Sequence, residues 1–138
     1  MPTIQEIQTQ IIEDFSFLPE WDERYAYLIE LGQKSPPLDE KYRIDDNLVR
    51  GCQSQVWLAR ECRQGVVYLQ TDSDSLIVKG LAALLLQVFS GQQASAIRQA
   101  DLHFFTEIGL NQHLSSQRTN GLMAMVEEIK SFAAQCAD

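Results

Sequence analysis

Basic residues are scarce in this sequence of 138 residues, which has 11 lysines and arginines against 19 aspartates and glutamates. The resulting formal net charge of -8 argues against a nucleic-acid partner, because binding to the phosphate backbone needs clustered lysine and arginine. An acidic surface instead favours solubility and attraction to a basic patch on another protein. We therefore expect no nucleic acid among the partners.

Long hydrophobic segments are also absent. The longest apolar run, "LIVKGLAALLLQVF" at 76–89, contains a lysine and is shorter than the roughly 20 residues that span a bilayer. The first residues, "MPTIQEIQTQ", have neither the basic start nor the apolar stretch of a signal peptide. The two observations predict no membrane partner and a cytoplasmic location, or the plastid stroma if the source has plastids.

Cysteine and histidine are few, and no CxxC pair occurs. An odd cysteine count of three argues against a disulfide framework, and zinc sites usually show paired, closely spaced ligands. We therefore expect no disulfide framework, no metal and no bound cofactor. Cys62 falls in register with Val56 and Leu58 in a predicted strand, which indicates a structural role. Cys136 lies in the last turn of the chain, where fraying is expected.

The order of predicted elements is helices, then a small hairpin sheet, then more helices. This order indicates an α+β fold with about three antiparallel strands, and no repeat or change in composition divides the chain, so we expect one domain over residues 1–138. The predicted elements are a helix after the capping box "TIQE", a helix from Pro19 that stops at Gly32, strands "NLV", "QVWLAREC" and "VVYLQT", a central helix over the long apolar run, two short helices and a last helix over Gln117–Gln135.

A lone thiol stands in the most turn-like part of the segment "NLVRGCQSQVWLA" at 47–59. Arg50 adjoins Cys52 and is a candidate to favour its thiolate, which is the reactive form. A glycine before the thiol permits a close approach by another molecule, and uncharged polar groups after it supply hydrogen bonds. These neighbours are Gly51, Gln53, Ser54 and Gln55.

The simplest alternative is that Cys52 is a small buried hydrophobe. Cysteine hydrolases pair the thiol with an oriented histidine, but no protease-like local pattern surrounds Cys52, and His103 and His113 are distant in sequence. A thiol without an evident base suits thiol exchange, in which the attacking sulfur needs only thiolate character and access.

The same segment resembles a known family. "VRGCQSQVWLA" is similar to the signature of the SufE family, the sulfur acceptors of the Suf iron–sulfur assembly system. The resemblance extends through "FSFLPEWDERYAYLIELGQKSPPLDEKYRI", "DSDSLIVKGLAALLLQVFSGQ" and "IGLNQHLSSQRTNGLMAMVEEIK". One departure is the stretch 115–119, which keeps the family's arginine as Arg118 but lacks a proline that would pre-set the start of the last helix.

The resemblance implies a SufE/IscU-like fold and a sulfur carrier rather than an enzyme. Cys52 would take sulfane sulfur as a persulfide from the pyridoxal-phosphate cysteine desulfurase SufS, stimulate that enzyme, and pass the sulfur to a SufBCD-type scaffold. Arg118 would then contact the desulfurase or the loop that carries Cys52. Asp74 is first of all a candidate helix N-cap, and the resemblance places it near the partner-facing surface, where it would influence release of the loop.

Two other functions fit the same residues. An IscU-like iron–sulfur scaffold would need several converging ligands, of which only Cys52 lies in a suitable loop. A purely allosteric protein would bind and activate the desulfurase without carrying sulfur. The sequence leaves both a monomer and a homodimer open.

Overall fold

The computed structural model describes residues 2–52 and 54–136. Within these residues it has seven α-helices and one three-stranded antiparallel sheet, which confirms the expected α+β class. The elements are α1 (Ile4–Ser16), α2 (Trp21–Lys34), β1 (Val56–Arg63), β2 (Val66–Ser73), α3 (Leu76–Phe89), β3 (Gln92–Gln93), α4 (Ala94–Gln99), α5 (Phe104–Glu107), α6 (Leu110–His113) and α7 (Ser116–Gln135).

Helices α1 and α2 begin the chain. The predicted capping box of α1 is confirmed, since Thr3 and Glu6 exchange hydrogen bonds of 2.9 and 3.1 Å. The predicted stop of α2 at Gly32 is wrong, because the helix continues to Lys34. Gly32 lies instead where α2 crosses α3: a Cβ there would come within 2.4 Å of the Leu76 carbonyl oxygen. The glycine therefore serves close helix packing.

The sheet has the strand order β1-β2-β3, and β1 pairs with β2 from Val56↔Ser73 to Arg63↔Val66. The predicted strand "NLV" is reduced to one bridge, Leu48↔Trp57, because the chain turns away directly afterwards. The third strand is β3 on the opposite edge, next to β2. The predicted number of strands is thus correct, but one of the three was assigned to the wrong segment.

Helix α3 is the central helix of the core, as its apolar run predicts. It packs against α2 and β2, and the side chains of Leu85, Val88 and Phe89 are fully buried. Along the described parts of the chain, 2–52 and 54–136, no helix combines the length and the hydropathy needed to cross a membrane.

A disulfide joins Cys62 at the end of β1 to Cys136 just after α7, with the two Cα atoms 5.8 Å apart. The expectation of no disulfide is therefore wrong. The two residues are 74 positions apart in sequence, and only the return of α7 to the end of β1 brings them together. Cys136 is only 5% exposed, so the expected fraying of this turn is also wrong.

Candidate functional site

The loop that carries Cys52 follows Leu48, which forms a bridge with Trp57, and leads into β1 at Val56. Its base is closed by a 2.9 Å hydrogen bond from the Val49 N–H to the Val56 carbonyl. Gly51 has φ +89°, a left-handed conformation that costs other L-residues about 1–2 kcal/mol. Gly51 is therefore needed where the chain reverses just before the thiol. Gln53, one of the predicted loop residues, lies outside the described residues.

The Cys52 side chain rests on helix α7 at Gly121. The thiol Sγ lies 3.6 Å from the Gly121 carbonyl oxygen, which accepts its S–H. A Cβ on Gly121 would come within 3.2 Å of Sγ, which is tighter than ordinary van der Waals contact. We call this contact the thiol seat, meaning Cys52 Sγ on Gly121. The absence of a side chain at Gly121 is what allows the sulfur to approach the helix.

The thiol is half-buried and packs against the edge of the hydrophobic core. Burial raises the pKa of the Cys52 thiol above its ordinary value, because a thiolate loses solvation there. The neighbouring Arg50 side chain is exposed, and the prediction that it favours the thiolate is not supported, since burial determines the direction of the pKa shift. In this conformation Cys52 is a poor nucleophile at neutral pH.

A cavity of about 60 Å³ lies beside the thiol seat, between the first turns of α3 and the first half of α7. Ser54 closes it on the loop side, and Arg118 lines it from α7, one turn before Gly121. The Arg118 backbone N–H is capped by Ser115 Oγ at 3.2 Å, so the missing proline does not disturb the start of α7. The structure thus brings Cys52, Ser54 and Arg118 to one place.

Gln55, at the end of the loop, is held on both sides of its backbone. Its N–H donates to Asp74 Oδ1 at 3.1 Å. Its carbonyl accepts from the Ser73 hydroxyl at 2.8 Å and from the Asp74 N–H at 3.3 Å. The N-cap of α3 is Ser75, so the interpretation of Asp74 as that cap is wrong. Asp74 instead anchors the end of the Cys52 loop, because its carboxylate reaches back to Gln55.

We expect Asp74→Arg to raise the alkylation rate of Cys52 in the free protein about fivefold, the effect of losing one hydrogen bond of ordinary net strength. The substitution removes the acceptor for the Gln55 N–H, which favours the open loop. The rate is measured with a bulky maleimide and mass spectrometry of the Cys52 peptide. Glu13→Arg, at an exposed position of α1, makes the same charge change and should leave the rate unaltered. An unchanged rate in Asp74→Arg would remove Asp74 from control of the loop.

Asp72, two residues before Asp74, forms a buried ionic centre behind the site. It is 3% exposed and accepts the backbone N–H groups of Leu38 at 3.0 Å and Ser73 at 2.8 Å. Lys79 of α3 lies 3.3 Å away, and Arg43 also pairs with the carboxylate. Burial alone would raise the pKa of Asp72, but the hydrogen bonds from Leu38, Ser73 and Lys79 outweigh it and lower the pKa.

We expect the free energy of unfolding to fall as the pH drops from about 5 to about 3, in part because of Asp72. A carboxyl whose pKa is lower in the folded state stabilises the fold above its unfolded pKa. That stabilisation is lost as the pH falls towards the folded value. Urea unfolding at a series of pH values measures the slope, which should be shallower in Asp72→Asn. Equal slopes in both proteins would show that Asp72 does not contribute.

Comparison with known proteins gives a family match over almost the whole chain. The family model named SufE, described as an Fe–S metabolism associated domain, matches residues 9–133. The chain belongs to the SufE family. An uncharacterized SufE-like protein of Rhizobium meliloti (strain 1021) is 48% identical over 129 residues, covering 90% of this chain and 92% of the relative. A second uncharacterized SufE-like protein, from Rhizobium etli, is 46% identical over 129 residues, covering 90% of this chain and 87% of the relative.

A solved structure supports the fold of this SufE family member. The solution structure of a hypothetical protein from Thermus thermophilus matches with a TM-score of 0.75 at 24% identity, covering 94% of each chain. Membership of the family associates the chain with iron–sulfur metabolism.

The two histidines of this SufE chain are engaged with other groups. The His113 ring stacks on Trp21 with ring centroids 3.9 Å apart. His103 lies 3.4 Å from a Glu107 carboxylate oxygen and 3.2 Å from Gln5 Oε1. Within the described residues no group of three histidine, cysteine, aspartate or glutamate side chains is placed to hold a metal ion.

The sequence analysis did not identify two residues that belong to the site. Gly121 lies inside an otherwise regular helical pattern, where a glycine costs about 1 kcal/mol relative to alanine and therefore stands out. That signal was available. Ser73 gave no such signal, because its contact with Gln55 arises only from the adjacency of the loop to the end of β2.

Proposed function

We propose that this SufE family member is a sulfur carrier that accepts sulfane sulfur on Cys52. The donor is the persulfide of a pyridoxal-phosphate cysteine desulfurase of the SufS type, and the recipient is a SufBCD-type scaffold. The Cys52 thiolate attacks the terminal sulfur of the donor persulfide. The donor's S–S bond breaks, its own cysteine leaves as a thiolate, and Cys52 holds the new persulfide. No electrons are gained or lost overall.

The observation that carries this proposal is the setting of Cys52 as a free thiol on an anchored loop. All three cysteines lie in the described part of the chain, and Cys52 is the one that the structure leaves unpaired. The loop is fixed at its base and at Gln55, while the thiol itself is held by the contact with Gly121. Such an arrangement can release the sulfur by moving a few residues without unfolding the core.

Shelter in the free protein and exposure in the complex follow from the same geometry. Burial raises the pKa of Cys52, so the free protein reacts slowly with other thiols and electrophiles. A desulfurase that binds the open loop more tightly than the closed loop shifts the population towards the open loop. Docking then makes Cys52 solvated and reactive. Stimulation of the partner and delivery of sulfur therefore occur together, in the docked complex.

The cavity beside the thiol seat supports sheltering of the product as well. Its volume of about 60 Å³ exceeds the roughly 15 Å³ that one water molecule requires by the same kind of measure. Gly121 lines this cavity and also contacts Cys52 Sγ, so one added sulfur atom that turns past Gly121 has room there. Arg118 on the cavity wall supplies a cation for an anionic persulfide or for the desulfurase, and Asp74 controls how readily the loop opens.

The other parts of the proposal concern the setting of the protein. Residues 1–138 form one domain, which acts as a monomer or homodimer in the cytoplasm or plastid stroma. The formal charge of -8 suits a basic patch on the desulfurase and opposes binding to nucleic acid. The chain acts on its partner as a sulfur acceptor and not as an enzyme with its own cofactor.

Two alternative functions predict different behaviour. An IscU-like scaffold needs several thiolate or imidazole ligands, but Cys62 and Cys136 are bonded to each other in this structure, which favours the carrier. Anaerobic reconstitution with iron and sulfide would give a cluster absorption band for a scaffold only. A purely allosteric protein would bind the desulfurase and stimulate it without ever gaining sulfur.

Mapping of the transferred sulfur tests the proposal. The protein is incubated with a SufS-type desulfurase and free cysteine, digested without reductant, and analysed by mass spectrometry. We expect the mass of one sulfur atom on the Cys52 peptide and none in Cys52→Ser. Stimulation of the desulfurase without added sulfur on Cys52 would overturn the carrier function and favour the allosteric alternative.

A further inference from the structure

The Cys62–Cys136 disulfide joins two parts of the chain that also lie next to Cys52. Strand β1 follows the Cys52 loop directly, and α7 provides Gly121 for the thiol seat. Between the seat and the disulfide, Arg60 Nη1 of β1 lies 2.6 Å from Glu128 Oε2 of α7. One segment is the Cys52 loop together with β1, and the other is α7 with the residue that follows it. Three contacts connect these two segments, in the same order along both: the thiol seat, the ion pair and the disulfide.

The two cysteines of the disulfide differ in exposure. Cys62 is exposed on the outer end of β1, whereas Cys136 is 5% exposed. The more exposed residue is the expected point of attack for a reductant in solution, which makes Cys136 the leaving group. Disulfides in reducing compartments are commonly transient or redox-sensing rather than permanent staples, so the location proposed above favours a disulfide that opens.

We propose that Cys62–Cys136 is a redox site for a dithiol reductant and that its opening increases access to Cys52. A thiolate of the dithiol attacks Cys62 Sγ, the S–S bond breaks, and Cys136 leaves as a thiolate and takes a proton. The second thiol of the reductant then attacks the mixed disulfide. Cys62 is released, takes a proton, and the reductant becomes a disulfide, so two electrons and two protons pass to the protein.

Opening the disulfide loosens α7 without detaching it. Arg98 Nη1 still donates to the Ala133 carbonyl at 3.0 Å, and Lys130 Nζ donates to the Ala100 carbonyl at 2.5 Å. Arg60–Glu128 also remains. The thiol seat loses the covalent restraint on the spacing of β1 and α7, so Cys52 leaves Gly121 more often. We expect the alkylation rate of Cys52 to rise about tenfold, which corresponds to about 1.4 kcal/mol in the opening equilibrium.

The test compares the two redox states of the unmodified sequence. Protein prepared without reductant is unfolded and treated with a maleimide, and intact mass should show one label before reduction and three after it. Folded protein is then treated with dithiothreitol, freed of reductant under argon, and alkylated with a bulky maleimide. Mass spectrometry of the Cys52 peptide follows this one site separately from Cys62 and Cys136.

The Cys62→Ser/Cys136→Ser double variant is the matched control. It should alkylate at Cys52 as fast as the reduced protein and should not respond to dithiothreitol. Three labels without reduction, or equal Cys52 rates within twofold in both redox states, would overturn the proposal. Loss of the helical circular dichroism on reduction would also overturn it, because the disulfide would then be needed for the fold itself. None of these measurements uses a desulfurase, so their failure is distinct from failure of the sulfur-carrier function.

Discussion

Cys52→Ser should reduce the rate of the partner desulfurase to that of the desulfurase alone. A serine oxygen cannot hold sulfane sulfur as a persulfide. Serine has nearly the same size and shape as cysteine, so the substitution should preserve the conformation of the loop. Among the described residues, the Cys52 thiol is held by one S–H···O interaction with Gly121 and by packing at the edge of the core, so we expect a small loop movement to bring it to a donor. Sulfide release from cysteine, measured with and without the variant, gives the result.

The other two cysteines provide the matched controls for this substitution. Cys62→Ser and Cys136→Ser each remove the disulfide but keep the Cys52 thiol itself, so both variants should still stimulate the desulfurase. Cys136 is buried, and its thiol in Cys62→Ser is poorly placed to meet a partner. Full stimulation by Cys52→Ser, or loss of stimulation in Cys62→Ser or Cys136→Ser only, would show that sulfur does not pass through Cys52.

Gly121→Ala should displace the thiol from helix α7 and make the free protein reactive. The new Cβ would lie 3.2 Å from Cys52 Sγ, so the sulfur must give way by a few tenths of an ångström, which weakens its contact with the helix. We expect alkylation of Cys52 about tenfold faster than in the unmodified protein, equivalent to about 1.4 kcal/mol. Alanine also favours a helix more than glycine, so α7 should remain intact.

The pH dependence of the same reaction separates displacement of the thiol from general loosening of the protein. Burial raises the pKa of Cys52, and a displaced thiol is better solvated, so the midpoint of the rate profile should shift to lower pH in Gly121→Ala. Asn120→Ala changes the adjacent, exposed position of α7 and should alter neither the rate nor the midpoint. A faster rate with an unchanged midpoint would contradict the role of Gly121 as the seat of the thiol.

Local sequence was sufficient for the parts of the site that depend on neighbouring residues. The long apolar run predicted α3 because hydrophobic periodicity follows directly from one helix face being buried. The position of Cys52 between Gly51 and polar residues predicted a thiol on a turn, and Gly51 does adopt a positive φ. The resemblance of "VRGCQSQVWLA" to the SufE signature is confirmed at the level of the family.

Parts that depend on distant pairs were predicted wrongly or not at all. An odd cysteine count gave no indication that Cys62 and Cys136 pair, since 74 positions separate them. The preference of aspartate for helix N-caps favoured Asp74, but the neighbouring Ser75 takes that role and frees Asp74 to hold Gln55. "NLV" has strand-forming residues, yet only Leu48 finds a bridge partner.

The sequence by itself determined the α+β class, the family and the turn on which Cys52 stands, because periodicity, glycine conformation and a contiguous signature are local properties of the chain. The tertiary structure alone decided whether that thiol is sheltered. Its seat on Gly121, its anchor through Asp74 and the disulfide at the far end of β1 join residues 69, 19 and 74 positions apart. Such contacts depend on how α3 and α7 pack against the sheet, and packing is set by the whole core rather than by any one segment.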